Sequence, residues 1–181
     1  MESVIIKALV TILPLFGSAI LHMVCVKLDI LKFLKKPVHR KLFGENKTWR
    51  GFVLMPLLAI PFTQLAQNID MGLAPELQVG FDNVSGLWFG ILLGLAYVVG
   101  ELPNSCIKRR MGVAPGKTSD KNKLFFIFMD QTDSAFTCLL MAYIFLDISF
   151  VQIIWTYLIS VVVHLTFNYL LYILKIRKNP L

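Results

Sequence analysis

Apolar residues come in long blocks rather than in alternation, and the polar residues collect between them. Five blocks stand out: roughly Val4 to Val26, Phe52 to Ile69, Gly86 to Pro103, Leu124 to Leu146 and Phe150 to Leu174. Each runs for about 17 to 25 residues, the length a helix needs to cross the hydrocarbon core of a bilayer. The second is the shortest and holds Pro56 and Pro61, so a re-entrant or kinked helix is an open alternative to a full crossing there. In the third, Gly86, Gly90 and Gly94 recur every four residues on one face, a spacing that lets two helix backbones approach closely. The pattern predicts an all-α integral membrane protein of about five transmembrane helices, with residues 1–181 forming a single membrane-embedded domain.

Charge gives the blocks a direction. The segment from Lys27 to Gly51 is crowded with basic residues, as are the stretch from Lys108 to Lys123 and the tail after Leu174. Of the 18 Lys and Arg residues only Lys7 falls on the other side, together with Glu2, Asp70, Glu76, Asp82 and Asp147. Basic residues in short loops mark the cytoplasmic face. The expected topology has the N-terminus outside, the C-terminus in the cytoplasm, and cytoplasmic loops at about 27–51 and 107–123. The implied setting is multi-pass in the inner or plasma membrane, with any active site facing the cytoplasm.

Composition agrees. A hydrophobic content of 56% over 181 residues exceeds what an ordinary soluble domain carries. The net charge of +7 suits anionic headgroups or phosphorylated substrates, and in a polytopic chain no nucleic-acid partner is expected. Cys25, Cys106 and Cys138 are odd in number and widely spaced, which points to packing rather than to a disulfide or metal framework. The basic residues follow the first apolar block instead of preceding it, opposite to a cleaved signal peptide, so that block is expected to stay.

Against this background the polar residues inside the blocks need a reason. Asp130 and Asp133 stand at i, i+3 in the fourth block, and a carboxylate facing lipid there costs roughly 2.5 to 3.5 kcal/mol even on insertion scales. Asp130 lies seven residues past Lys123, about 10 Å along a helix, so the pair is expected below the basic face where water, metal and loops reach it. Two carboxylates suit Mg²⁺, which binds a few of them together with waters and phosphate oxygens. If the third helix continues past Pro103, Glu101, Asn104, Ser105 and Lys108 share one polar face, which is tolerated where it lines a polar cavity.

The first basic loop ends in KLFGENKTWRGF, where Gly44 and Gly51 permit tight turns and Lys47 and Arg50 supply phosphate-directed charge. Its other reading is an interfacial loop held to anionic lipid, with Trp49 an anchor at headgroup level rather than a base-stacking ring. Gly112 to Thr118, GVAPGKT, has three residues between its glycines where a Walker loop has four, and no strand precedes it, so it reads as a shaped basic loop. In the fifth block His164 and Asn168 stand at i, i+4, fit for a helix-to-helix hydrogen bond or for substrate contact; His22 and His39 receive no role.

Carboxylates and basic loops where a membrane lipid can meet a cytosolic nucleotide suit phosphoryl or nucleotidyl transfer. GENKTWRGF at Gly44 to Phe52, GELPNSCIKRRMGVAPG at Gly100 to Gly116 and DQTDS at Asp130 to Ser134 resemble, in order along nearly the whole chain, the signature segments of the CDP-archaeol synthase family, relatives of CDP-diacylglycerol synthases. The resemblance implies a Mg²⁺-dependent enzyme that transfers the cytidylyl group of CTP to a membrane lipid phosphate within the bilayer, in phospholipid biosynthesis. It implies Asp130 and Asp133 as metal and triphosphate-site carboxylates, Lys108 as a catalytic cation, and Lys47, Arg50, Asn104, Arg109, Arg110 and Lys117 as nucleotide or phosphate contacts. Two other classes stay open. A CDP-alcohol phosphotransferase also uses membrane aspartates, but its motif continues with Gly and Arg where this chain has Ser134-Ala135-Phe136. A small ion-coupled transporter explains the buried aspartates but not two phosphate-suited loops.

Overall fold

In the computed structural model the described residues are 2–115 and 123–175. They form α1 (Glu2–Lys27), a short α2 (Arg40–Phe43), α3 (Trp49–Gly72), α4 (Gly86–Arg110), α5 (Lys123–Phe145) and α6 (Phe150–Ile173). Five of these, all but α2, are long and apolar enough to cross a membrane, as the apolar blocks predict. A helix is the way for such a segment to satisfy every backbone N–H and C=O where no water is present. At the second block the chain forms one continuous helix: α3 has 24 residues with both prolines inside it, about 36 Å at 1.5 Å per residue, long enough for a crossing.

The long helices pack in a ring, α1 against α3, α3 against α4, α4 against α5, α5 against α6, and α6 back against α1. The C-terminal ends of α1, α4 and α6 and the N-terminal ends of α3 and α5 share one end of this ring, so the basic segments gather there. The glycine stripe of α4 is packing, as its spacing implies. A Cβ built on Gly94 would lie 2.4 Å from the backbone N and Cα of Pro56, and one on Gly90 would lie 2.7 Å from Cα of Ile60. The three cysteines are free, with Cys25 and Cys138 buried in the bundle.

At the opposite end the connection from α3 to α4 folds inward as a plug. The buried Asp70 carboxylate accepts hydrogen bonds from the backbone N–H groups of Val79 (2.8 Å), Gly80 (3.1 Å) and Phe81 (2.9 Å). Gln67 Nε2 donates to the carbonyls of Phe81 and Val84 at 2.9 and 3.0 Å. Phe81 is thereby held fully buried in the core beside Phe89. The sequence reading used Asp70 only as a marker of sidedness; its structural work depends on a turn whose path is not visible in the residue pattern.

The basic end is shaped by the segment between α1 and α3. It doubles back on itself: Val38 N–H donates to the Lys47 carbonyl and Trp49 N–H to the Lys36 carbonyl, at 2.9 and 3.0 Å. His39 gains a role here, its Nδ1 accepting from Leu42 N–H to cap α2. Gly44 ends α2 at φ 82°, a left-handed value that favours glycine. Gly51 does not make the turn expected of it, because it lies in the first turn of α3.

Candidate active site

The α4 helix runs through Pro103 to Arg110, and its polar face therefore keeps its register into the basic end. Asn104 and Lys108 on that face meet the carboxylates of α5. Asn104 Nδ2 donates to Asp130 Oδ1 at 2.7 Å and to Asp133 Oδ2 at 2.9 Å, drawing the two together. Lys108 Nζ sits 2.5 Å from both oxygens of Asp130, and its ammonium lies 5.4 Å from the centre of the fully buried Phe126 ring. Asp133 Oδ1 accepts from the N–H of Ser134 at 2.7 Å. Each carboxylate is thus oriented by partners on two sides, and hydrogen bonds to ionised groups are about twice as strong as neutral ones.

These groups form one wall of a cavity of about 630 Å³, within the usual range for small-molecule sites. Loop residues from the α1–α3 connection lie over it. Lys47, placed by the doubled-back loop, forms an ion pair with Glu101 of α4. Arg50 also lines the cavity, but its guanidinium is almost fully buried and donates to Asp29 Oδ1 at 3.0 Å. Asp29 is a partner the sequence reading passed over; one of only two acids, with Glu45, inside a strongly basic loop was the available signal. His22, given no role from sequence, lines the cavity as well.

Arg109 lines the cavity beside Gly44 and Pro115, and its Nε and Nη1 are buried without a hydrogen-bond partner among the described residues. A Cβ at position 44 would lie 3.0 Å from Nη1, so Gly44 also leaves room for this guanidinium. Arg110 is exposed and lies outside the cavity wall. Lys117 lies outside the described residues. Trp49 is half-exposed at the start of α3, away from the cavity lining, where an interfacial ring would sit.

The α5–α6 contact answers the question over His164 and Asn168. Asn168 Nδ2 donates to Gln131 Oε1 at 2.7 Å, and His164 Nδ1 lies 3.1 Å from the Gln131 carbonyl oxygen. Both therefore join helices, and both also face the cavity. Gln131, inside the DQTDS segment, was not singled out in the sequence because a lone Gln between two aspartates says nothing of its partner.

The donor set decides what kind of metal the site suits. No group of three or more His, Cys, Asp and Glu side chains gathers for a metal among the described residues. What is present is an oxygen set: two carboxylates side by side, with the buried Asn104 Oδ1 beside them lacking a hydrogen-bond partner. Such a set fits a hard cation that completes its shell with water and phosphate oxygens, and does not fit a closed nitrogen or sulfur cage.

Known proteins resemble the chain over most of its length. The chain is 28% identical over 141 residues to the CDP-archaeol synthase of Pyrobaculum aerophilum, covering 78% of this chain and 74% of that one. It is 30% identical over 141 residues to that of Pyrococcus furiosus, covering 78% and 76%. With that of Archaeoglobus fulgidus it shares 29% identity over 147 residues, covering 78% and 77%. No solved structure matches it. The family model described as CarS-like, CDP-archaeol synthase, matches residues 1–181, and the chain belongs to that family.

Proposed function

We propose that this enzyme transfers the cytidylyl group of CTP to the phosphate of a membrane lipid, giving a CDP-activated lipid of the CDP-archaeol type and pyrophosphate. The observation that carries this reading is the Asp130–Asp133 pair, clamped by Asn104 and Lys108 in the wall of a membrane-embedded cavity that Lys47, Arg50 and Arg109 also line. The concentration of basic residues at that end supports placing it in the cytoplasm, where CTP is found.

In the reaction an oxygen of the lipid phosphate attacks the α-phosphorus of CTP. The bond from that phosphorus to the α–β bridging oxygen breaks, and its electron pair leaves with pyrophosphate. The attacking phosphate has a second pKa of about 6, by analogy with phosphorylated side chains, so it is largely ionised at neutral pH and needs no protein base. The protein's task is to hold two anions against one another and to neutralise charge on the leaving group.

Asp130 and Asp133 would hold Mg²⁺, with Asn104 keeping both carboxylates turned to one point. When bound, the ion would offset charge on the triphosphate and on the departing pyrophosphate. Lys108 adds a cation at the same place. An ammonium has three donors, so Lys47 keeps two for phosphate while paired with Glu101, and Arg50 keeps further N–H groups beyond the one directed at Asp29. Arg109 presents Nε and Nη1 with nothing yet bound to them, which suits a phosphate oxygen.

The test is purified protein in detergent with labelled CTP, Mg²⁺ and a panel of ether- and ester-linked lipid phosphates. CDP-lipid and pyrophosphate are expected in equal amounts, and absence of product across the panel overturns the reading. Chelation should abolish turnover and added Mg²⁺ restore it; turnover indifferent to chelator would remove the metal from the proposal.

A further inference from the structure

The proposed reaction draws on Lys47, Arg50, Lys108 and Arg109 and leaves most of the positive charge at the basic end without a role. Between the last residue of α1 and Gly44 stand Lys27, Lys32, Lys35, Lys36, Arg40 and Lys41 against a single acid, Asp29. Only Lys35 of these six lines the cavity. Lys27, Lys32 and Lys36 are exposed, and set among them are exposed apolar side chains, Leu28 at 66%, Ile30 at 42% and Phe33 at 70%.

The backbone explains how this mixed surface arises. The end of α1 is closed by two bonds, Asp29 N–H to the Val26 carbonyl at 3.2 Å and Ile30 N–H to the Cys25 carbonyl at 2.9 Å. They place Asp29 at φ 54°, the left-handed position that glycine fills in most helix ends of this kind. Leu31 follows at φ 53°, a value uncommon for leucine, and leads into a single 3-10 turn at Lys32–Leu34 that packs against α3. The chain is thus turned aside as it leaves one spanning helix and carried to the next, where Trp49 N–H donates to the Lys36 carbonyl at 3.0 Å. The buried Arg50 guanidinium pins the turn from the cavity side through Asp29.

Bracketed by the ends of two spanning helices, residues 27–36 lie at the level of the lipid headgroups, where the half-exposed Trp49 ring also suits an interfacial position. Apolar side chains at that level enter the acyl boundary, while lysines keep their ammonium groups among the phosphates. A leaflet of zwitterionic lipid rewards only the first of these contacts; a leaflet with anionic lipid rewards both. Lys32 and Lys35 stand 3.9 and 4.0 Å from Asp29, and exposed pairs at such distances are weak, so a lipid phosphate competes for Lys32 readily. We infer that residues 27–36 form a docking surface for anionic phospholipid headgroups in the leaflet at the basic end, separate from the phosphate contacts of the cavity. Leu28, Ile30 and Phe33 enter the acyl boundary, and Lys27, Lys32 and Lys36 meet the lipid phosphates.

The test uses the full-length protein in mixed vesicles of phosphatidylcholine and phosphatidylglycerol, with one lipid and then the other carrying a labelled chain. Phosphatidylglycerol has no phosphate monoester to accept a cytidylyl group, so the outcome is independent of the proposed reaction. p-Benzoylphenylalanine replaces Phe33 or, as a control, Phe136, which is exposed on α5. Per mole of lipid present, Phe33 should capture phosphatidylglycerol over phosphatidylcholine by about fivefold or more, the factor that one lysine beside an anionic surface contributes. Phe136 should capture the two equally. Equal capture at Phe33 overturns the inference, as does a crosslink from Phe33 to a second copy of the chain in place of lipid. Lys27→Gln, Lys32→Gln and Lys36→Gln together should bring the ratio at Phe33 to parity, and an unchanged ratio in the folded variant overturns the role of the lysines. Salt gives a reading that needs no lysine variant: at about 1 M the screening length falls to about 3 Å, and the preference at Phe33 should fall with it. A preference indifferent to salt overturns the inference.

Discussion

Asn104 makes the sharpest prediction, because it touches both carboxylates while carrying no charge. Asn104→Leu keeps the side chain's approximate volume and removes the two donor contacts, of 2.7 Å to Asp130 and 2.9 Å to Asp133. Hydrogen bonds to charged groups contribute about 1.5 to 3 kcal/mol each, so about 3 to 6 kcal/mol of orienting interaction is lost from the pair. Neither carboxylate is stranded, since Asp130 keeps Lys108 and Asp133 keeps the Ser134 N–H, and the protein should therefore fold. If the bridge works by holding the carboxylates at one point for the reaction, the loss falls on turnover, and at about 1.4 kcal/mol per factor of ten it amounts to about 10²- to 10⁴-fold in kcat. The assay is CDP-lipid formation from labelled CTP, with melting in detergent and size-exclusion profile as checks on folding. A folded Asn104→Leu protein with activity within threefold of the unaltered enzyme would refute the role given to the bridge.

Three further predictions concern other parts of the molecule. Asp70→Ala leaves the N–H groups of Val79, Gly80 and Phe81 without their acceptor at about 1 to 3 kcal/mol each, so thermal stability in detergent should fall by several degrees while activity per folded molecule is kept; unchanged melting would deny the plug its structural role. Gly94→Ala places a Cβ 2.4 Å from the Pro56 backbone and should destabilise by about 1 to 3 kcal/mol or more, whereas Gly72→Ala meets no atom within 4 Å and should leave melting unaltered. Arg109→Met should raise KM for CTP about tenfold or more without lowering melting, because its Nε and Nη1 bind no partner among the described residues; unchanged CTP kinetics would separate it from the nucleotide.

The polar site divides into what spacing alone exposes and what needs neighbours. Asp130 and Asp133 are legible because their i, i+3 separation puts them on one face whatever packs beside them. The face of Glu101, Asn104 and Lys108 is legible in the same way, once the helix is seen to pass Pro103 unbroken. Lys47 and Arg50 are legible as cavity cations but not as members of ion pairs, since Glu101 lies 54 residues from one and Asp29 lies 21 from the other. Gln131 and Asp70 escape the sequence reading for a related reason: the carbonyls, amides and side chains that give them a purpose belong to segments brought near only by folding.

By itself the sequence determined the number of long helices, the end at which basic residues gather, and the residues sharing each helical face. These follow from chain-local physics: apolar length sets a span, and a period of 3.6 residues sets an angle about the helix's own axis. Tertiary structure decided the order of helices round the ring and which acid meets each of the site cations Lys47, Arg50 and Lys108. Those depend on how each helix is rotated and placed against its neighbours, and that is fixed by contacts such as Gly94 on Pro56, Gln131 on Asn168 and Phe16 on Phe167, each between residues more than thirty positions apart.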